Sequence, residues 1–220
     1  MSCCSHCMGA DEIFNKKKAS RDLKRYRKKG PDKSTRLLID ALREENPKGK
    51  TLLDVGGGIG LISFELFEAG LSESMNVDAS AGYLSACSEE AEVRGLKKHM
   101  NFAFGDFTEL AGDLSPADIV TLDRVICCYP DMKKLVESAA GKALGLIGLV
   151  YPRVHSFNKI GLTLGNLWFR IRNVGFRTYL HPPREIDYLI QRHGFSRIFF
   201  SRTLIWEAVV YRKAGDISSV

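Results

Sequence analysis

Thr51-Leu52-Leu53-Asp54-Val55-Gly56-Gly57-Gly58-Ile59-Gly60 is a short apolar strand that ends in a carboxylate and a cluster of glycines. Without a Cβ, glycine lets the backbone turn sharply and adopt positive φ, so that a ligand can lie against bare peptide N–H groups at the start of the following helix. The stretch therefore predicts a strand, a tight turn and a helix wrapped around a nucleotide-type cofactor.

Spacing separates the kinds of nucleotide. A dinucleotide fingerprint needs Gly-x-Gly-x-x-Gly to seat a pyrophosphate on the helix N-terminus. Counted from Gly56 the last position is Leu61, and counted from Gly58 it is Ser63. Asp54, two residues before the first glycine, would repel a pyrophosphate and suits a cationic ligand. Read as Asp-x-Gly-x-Gly-x-Gly, the segment resembles motif I of the class I S-adenosylmethionine (SAM)-dependent methyltransferases, whose cofactor carries an α-ammonium and a sulfonium.

From that strand outward, the pattern alternates. Strands are expected near 51–55, 74–78, 100–104, 117–123, 145–151, 196–200 and 204–212, with helices near 60–69, 81–94, 131–141, 159–172 and 183–193. Five strand–helix units followed by two closely spaced strands predict a single α/β domain with a seven-stranded, mostly parallel sheet and an antiparallel last strand. This is the Rossmann-like order that the resemblance implies. One helix is expected from Asp11 to Lys29, stopped by Gly30-Pro31, and a second runs through Leu37, Leu38, Ala41 and Leu42, with Asp32 or Ser34 as its cap. Residues 1–46 then form a Cys-rich tip and basic helices, and 47–215 form the methyltransferase domain with a lid-like insertion at about 153–184.

Successive strand ends carry the candidate cofactor residues. Asn76-Val77-Asp78-Ala79 places a carboxylate about 20 residues after the glycine turn, where it can accept hydrogen bonds from ribose hydroxyls. The fourth strand ends in Leu122-Asp123-Arg124, and ligands of open α/β sheets bind at such carboxyl ends. The resemblance implies more: Asp106 beside the adenine amino group, Phe107 against the adenine ring, Gly56, Gly57, Gly58 and Gly60 around the methionine moiety, and Asp54 orienting its ammonium.

The chain also resembles the magnesium-protoporphyrin O-methyltransferase branch of small-molecule methyltransferases. Tyr26 near Gly30, the Leu52 to Gly60 turn, Leu122-Asp123 leading to Tyr129-Pro130, and Thr178-Tyr179-Leu180-His181 carry that likeness over about Arg25 to Arg212. It implies a catalytic Tyr26 in the N-terminal helix and a His just before the Tyr-Pro step, where this chain has Cys128. A thiol is a poor substitute for imidazole as a proton carrier, so Cys128 weakens the expectation of a porphyrin acceptor.

A sulfonium-bound methyl is already activated, so such an enzyme mainly aligns a nucleophile and excludes water. Arg153 and His155, after the fifth strand, are the remaining candidates to face the acceptor. In the following stretch Ile160, Leu164, Leu167, Trp168 and Ile171 keep helical spacing beside Arg170, Arg172 and Arg177. A lid over an aromatic or anionic acceptor, a helix packed on the core, and an amphipathic helix on a membrane surface all fit this pattern.

Composition narrows the rest. The 220 residues are 45% hydrophobic, yet the longest apolar run, Ala143 to Tyr151, is far short of the roughly 20 residues that span a bilayer. The N-terminus has no apolar core of a secretory signal, and the six cysteines include adjacent pairs unsuited to bridging each other, so a cytoplasmic protein with reduced thiols is expected. The net charge is +6, and Lys16 to Arg36 alone holds eleven Lys and Arg against Asp22 and Asp32, leaving the remainder at −3. Such a run is a solvated helix face or a contact for nucleic-acid phosphates. Cys3, Cys4, His6 and Cys7 are a flexible thiol-rich terminus or a weak metal site, since a closed zinc site needs four ligands in fixed geometry.

The expected activity is methyl transfer from SAM to oxygen or another heteroatom of a small aromatic or carboxylate-bearing metabolite. RNA or protein methylation through the basic helix, and a non-catalytic SAM- or metal-binding protein, are the alternatives. The chain lacks the Asn/Asp-Pro-Pro-Tyr signature of many nucleic-acid amino-methylating enzymes, which disfavours nucleic acid as the partner.

Overall fold

The computed structural model describes residues 5–215. Seven strands form one sheet in the order β3-β2-β1-β4-β5-β7-β6, namely β1 (Thr51–Val55), β2 (Glu73–Asp78), β3 (Met100–Phe104), β4 (Ala117–Asp123), β5 (Ala143–Pro152), β6 (Phe195–Arg202) and β7 (Trp206–Lys213). Strands β1 to β5 pair in parallel; β7 runs antiparallel to both β5 and β6. The order reverses between β1 and β4, and that reversal opens a crevice at their carboxyl ends.

Helices α1 (Ser5–Ile13), α2 (Lys16–Lys29) and α3 (Lys33–Glu44) precede the sheet; α4 (Leu61–Glu68), α5 (Ala81–Val93), α6 (Phe107–Leu110), α7 (Met132–Lys142), α8 (Ser156–Ile171) and α9 (Pro183–Arg192) connect its strands. Alternation along β1 sorts its side chains between two layers. Leu53 and Val55 pack with Leu135 and Val136 of α7 and Ile186 and Ile190 of α9. Leu52 packs on the other face with Leu38 and Leu42 of α3 and Ile62 and Leu66 of α4. A third cluster joins Ala19, Leu23 and Tyr26 of α2 to Tyr83, Ala86 and Cys87 of α5.

The expected helix Asp11–Lys29 is two helices. The Asn15 side chain accepts from the Lys18 N–H at 3.2 Å and caps α2, so the chain turns there instead of continuing. Helix α2 buries Ala19, Leu23 and Tyr26 and exposes Lys17, Arg21, Lys24, Lys28 and Lys29. The basic run is therefore the outer face of an amphipathic helix. Asp32 caps α3 through the Thr35 N–H.

Of the N-terminal residues expected as a thiol-rich tip or weak metal site, Cys3 and Cys4 lie outside the described residues, and His6 and Cys7 are described only as part of the α1 backbone. Among the described residues no helix is long and apolar enough to cross a membrane.

Candidate active site

The turn after β1 is shaped by three left-handed glycines, Gly56 (φ +62°), Gly58 (φ +58°) and Gly60 (φ +78°). A Cβ on Gly56 would lie 2.4 Å from Val125 Cγ2, and one on Gly57 would lie 2.6 Å from both Asn76 Oδ1 and Asp54 Oδ2. The turn thus sits directly on the side chains of Asp54, Asn76 and Val125, at the ends of β1, β2 and β4. Gly60 has a different task. It does not line the cavity; it begins α4, and a Cβ there would collide with Cys87 Sγ at 2.3 Å. Of the four glycines expected around the cofactor, Gly60 is therefore the one the structure places against Cys87 and outside the cavity lining.

Asp78 ties the turn to the next strand. Its Oδ2 accepts from the Gly58 N–H at 2.9 Å and its Oδ1 from the Ser80 N–H at 2.8 Å. Burial pushes its carboxyl up to about 6, against the opposing pull of those two amides. Asp54, 1% exposed, receives the Thr121 hydroxyl on Oδ1 at 2.7 Å, while Oδ2 has no hydrogen-bond partner among the described residues. Burial raises its carboxyl to about 7, and Asp123 and Asp78 add to the rise. An orphaned, buried carboxylate oxygen beneath a glycine turn fits a cationic ligand above it.

At the end of β3, Asp106 caps α6 and its two oxygens accept from the Tyr129 hydroxyl, each at 2.9 Å. Phe107 is buried beside it. At the end of β4, Asp123 accepts from the Thr35 hydroxyl at 2.7 Å and pairs with Arg124 at 3.1 Å. Arg124, at φ +61°, also reaches Asp32 at 2.7 Å, tying α3 to the crevice. Burial alone would raise the Asp32 carboxyl; Arg124 and the Ser34 hydroxyl outweigh it and hold the group below its ordinary value.

These residues enclose one cavity of about 790 Å³. Asp54, Gly56, Gly57, Gly58, Asp78 and Ala79 line its glycine-turn end, with Asp106, Phe107 and Asp123 beyond them. Tyr26 lines it from α2 and Cys128 from the short turn after β4. The Tyr26 hydroxyl donates to Glu65 at 3.1 Å, and burial with that carboxylate raises its pKa, so the ring forms the wall and the hydroxyl points into the α4 contact. Cys128 Sγ bonds the Arg124 carbonyl at 3.5 Å.

Arg153 and His155 are not brought to this cavity. Arg153 donates to the carbonyls of Thr203 and Leu204, and His155 Nε2 lies 3.0 Å from the Leu204 carbonyl. Both side chains fasten the β6–β7 turn to the start of α8, which takes them away from an acceptor. The sequence reading also missed part of the wall. Phe14, Tyr83, Phe169, Phe176 and Trp206 line the cavity from five separate segments, and only the fold reveals that they converge.

Helix α8 has two apolar sides. Leu162 and Phe169 face the cavity, with Gly161 at its edge, whereas Ile160, Leu164, Leu167, Trp168 and Ile171 are exposed away from it. The loop after it is stitched down by the Tyr179 N–H to the Cys127 carbonyl at 2.7 Å and by Asn166, whose Oδ1 accepts from the Thr178 N–H at 2.8 Å. This helix and loop roof the cavity.

A glycine turn, a carboxylate on the next strand and a roofed crevice at the sheet's switch point define a class I methyltransferase architecture. Residues 46–161 match the family described as "Methyltransferase domain", and the chain belongs to that family. Over 144 residues it is 28% identical to the ribosomal protein L11 methyltransferase of Prochlorococcus marinus, covering 62% of this chain and 46% of that protein. It is also 28% identical over 142 residues to a ubiquinone biosynthesis O-methyltransferase of Coxiella burnetii, covering 64% and 52%. The chain thus spans about half the length of these curated relatives. Its fold is similar to that of magnesium protoporphyrin IX methyltransferase of Synechocystis PCC 6803, solved with bound S-adenosylhomocysteine, with a TM-score of 0.70, 18% identity, and coverage of 93% and 98% of the two chains.

Proposed function

We propose that this protein transfers the methyl group of SAM to a heteroatom of a small acceptor, and that the acceptor bears a carboxylate. The observation that carries the reading is the continuity of the cavity: the glycine-turn end and an apolar chamber under α8 are one space. SAM supplies a methyl group already activated by its sulfonium. Asp78 would accept hydrogen bonds from the ribose hydroxyls, Asp106 with Phe107 would hold the adenine, and Asp54 would offset the positive charge of the methionine moiety. Tyr26, Leu162, Phe169 and Trp206 would enclose the acceptor and keep water out.

With Asp54 and Asp78 assigned to the cofactor, the remaining lining groups favour an acceptor that needs no base. No histidine lines the cavity among the described residues. The neighbouring Cys127 thiol is raised well above its ordinary value by its contact with Cys128 and by burial. A carboxylate is already ionised at neutral pH and attacks without losing a proton. Among the described residues three cations line the cavity; Arg124 is held by Asp32 and Asp123 and Lys18 by Asp22, which leaves Arg25 to orient an anionic acceptor.

Calorimetric titration with SAM, S-adenosylhomocysteine and NAD tests the cofactor; binding of the first two alone is expected. Transfer of labelled methyl to a panel of aromatic carboxylates and phenols then tests the acceptor. Methylation of phenols with no ester formation would overturn the carboxylate assignment, and tight NAD binding would overturn the cofactor.

A further inference from the structure

The exposed side of α8 remains unexplained by methyl transfer. At 3.6 residues per turn, Ile160, Leu164, Leu167, Trp168 and Ile171 form one stripe. Trp168 is 50% exposed and Ile171 72%. The cavity-facing Leu162 and Phe169 lie on the other side, with Gly161 at the edge between, so the stripe is surplus to closing the site. It continues onto the neighbouring β6–β7 turn. Leu204 there is 78% exposed, Ile205 is exposed beside it, and the turn is bonded to the helix through Asn158 Nδ2 to the Ile205 carbonyl at 2.9 Å.

Charge identifies what such a face can meet. From 153 to 184 the sequence contains six cations, Arg153, Lys159, Arg170, Arg172, Arg177 and Arg184, and no Asp or Glu. On the helical projection Lys159 and Arg170 flank the stripe on one side and Arg172 on the other. A second copy of this chain would bring the same cations face to face, which opposes self-association. Apolar side chains bordered by Lys and Arg instead match an anionic bilayer, whose interior takes the apolar groups while its headgroups take the cations.

We infer that α8 and the β6–β7 turn form a docking face for an anionic membrane surface, with Leu164, Leu167, Trp168 and Leu204 entering the acyl boundary and Lys159, Arg170 and Arg172 contacting headgroups. Because the inner side of the same helix roofs the cavity, docking places the roof at the lipid surface. The inference stands independently of which acceptor is methylated.

The test is sedimentation of the full chain with vesicles of phosphatidylcholine alone or mixed with phosphatidylglycerol, over a series of salt concentrations. Binding to the mixed vesicles that weakens with salt is expected, with a blue shift of Trp168 emission read in a Trp206→Phe background. Leu164→Glu/Leu167→Glu should weaken that binding at least about tenfold, with SAM affinity and thermal stability as controls for folding. Charge reversal at Lys24, Lys28 and Lys29 should leave it within about twofold. No binding to phosphatidylglycerol vesicles, equal binding by the α8 variant, or loss on reversing only α2 would each overturn the inference. So would a lipid-free dimer that the α8 variant dissolves, which would assign the face to a second copy.

Discussion

The Asp78 carboxylate accepts the Gly58 N–H at 2.9 Å, so the end of β2 fixes the conformation of the turn that follows β1. Asp78 also lines the cavity. Asp78 therefore holds the loop and, in the function proposed above, the ligand as well, so its substitution is expected to act on binding more than on the core.

Asp78→Ala is expected to weaken SAM binding more than about tenfold, the ~1–3 kcal/mol of charge-assisted hydrogen bonds lost. Calorimetry on a variant whose melting remains cooperative checks this. An unchanged dissociation constant would remove the ribose assignment.

Asp54 links stability to pH. Its folded value of about 7 lies above the unfolded value of roughly 3.9, so the native state holds the proton more firmly. The associated stability is fully present below about pH 4 and is lost as pH rises through about 7. Asp54→Asn keeps the shape without the charge. In the absence of cofactor, its melting temperature relative to the native protein should climb from pH 5 to about pH 7 and level off by pH 8; a constant offset would show that Asp54 does not titrate there.

Gly60 and Cys87 form a close pair, and a Cβ at Gly60 would meet Sγ at 2.3 Å in a left-handed backbone. Gly60→Ala should cost about 2–3 kcal/mol in denaturant unfolding. In a Cys87→Ala background the cost should fall by at least about 1 kcal/mol. Equal costs in both backgrounds would locate the penalty in the backbone alone.

Tyr26 contributes its ring to the cavity wall and its hydroxyl to Glu65. Tyr26→Phe should leave SAM affinity within about threefold, whereas Tyr26→Ala, which removes a buried ring, should weaken it at least about tenfold. Equal losses in both variants would assign the hydroxyl a direct part in binding.

Much of this architecture was legible along the chain. Alternating strand and helix patterns predict the seven-stranded sheet, because burying one face of each element imposes a period that survives in a single sequence. The glycine turn and the acids at 54, 78 and 123 were legible for a related reason, since parallel strands bring their carboxyl ends together; Asp106 was marked by the family resemblance. The break at Asn15 was not, since a helix of uninterrupted polar and apolar spacing is ended there by a side-chain cap and by contacts to α5.

The sequence by itself determined the order of the elements, the turn chemistry and the carboxylates that meet at the switch point. Only the tertiary structure decided which neighbours those side chains face. Arg153 and His155 sit at a strand end, yet bonds to Thr203 and Leu204 turn them from the cavity. Gly60 belongs to the motif but serves the packing of Cys87. The apolar stripe on α8 has the spacing of a core helix, and it is exposed because the opposite side of the helix already covers the cavity. Periodicity reports that a side of a helix is apolar; what lies against that side is set by residues distant in sequence.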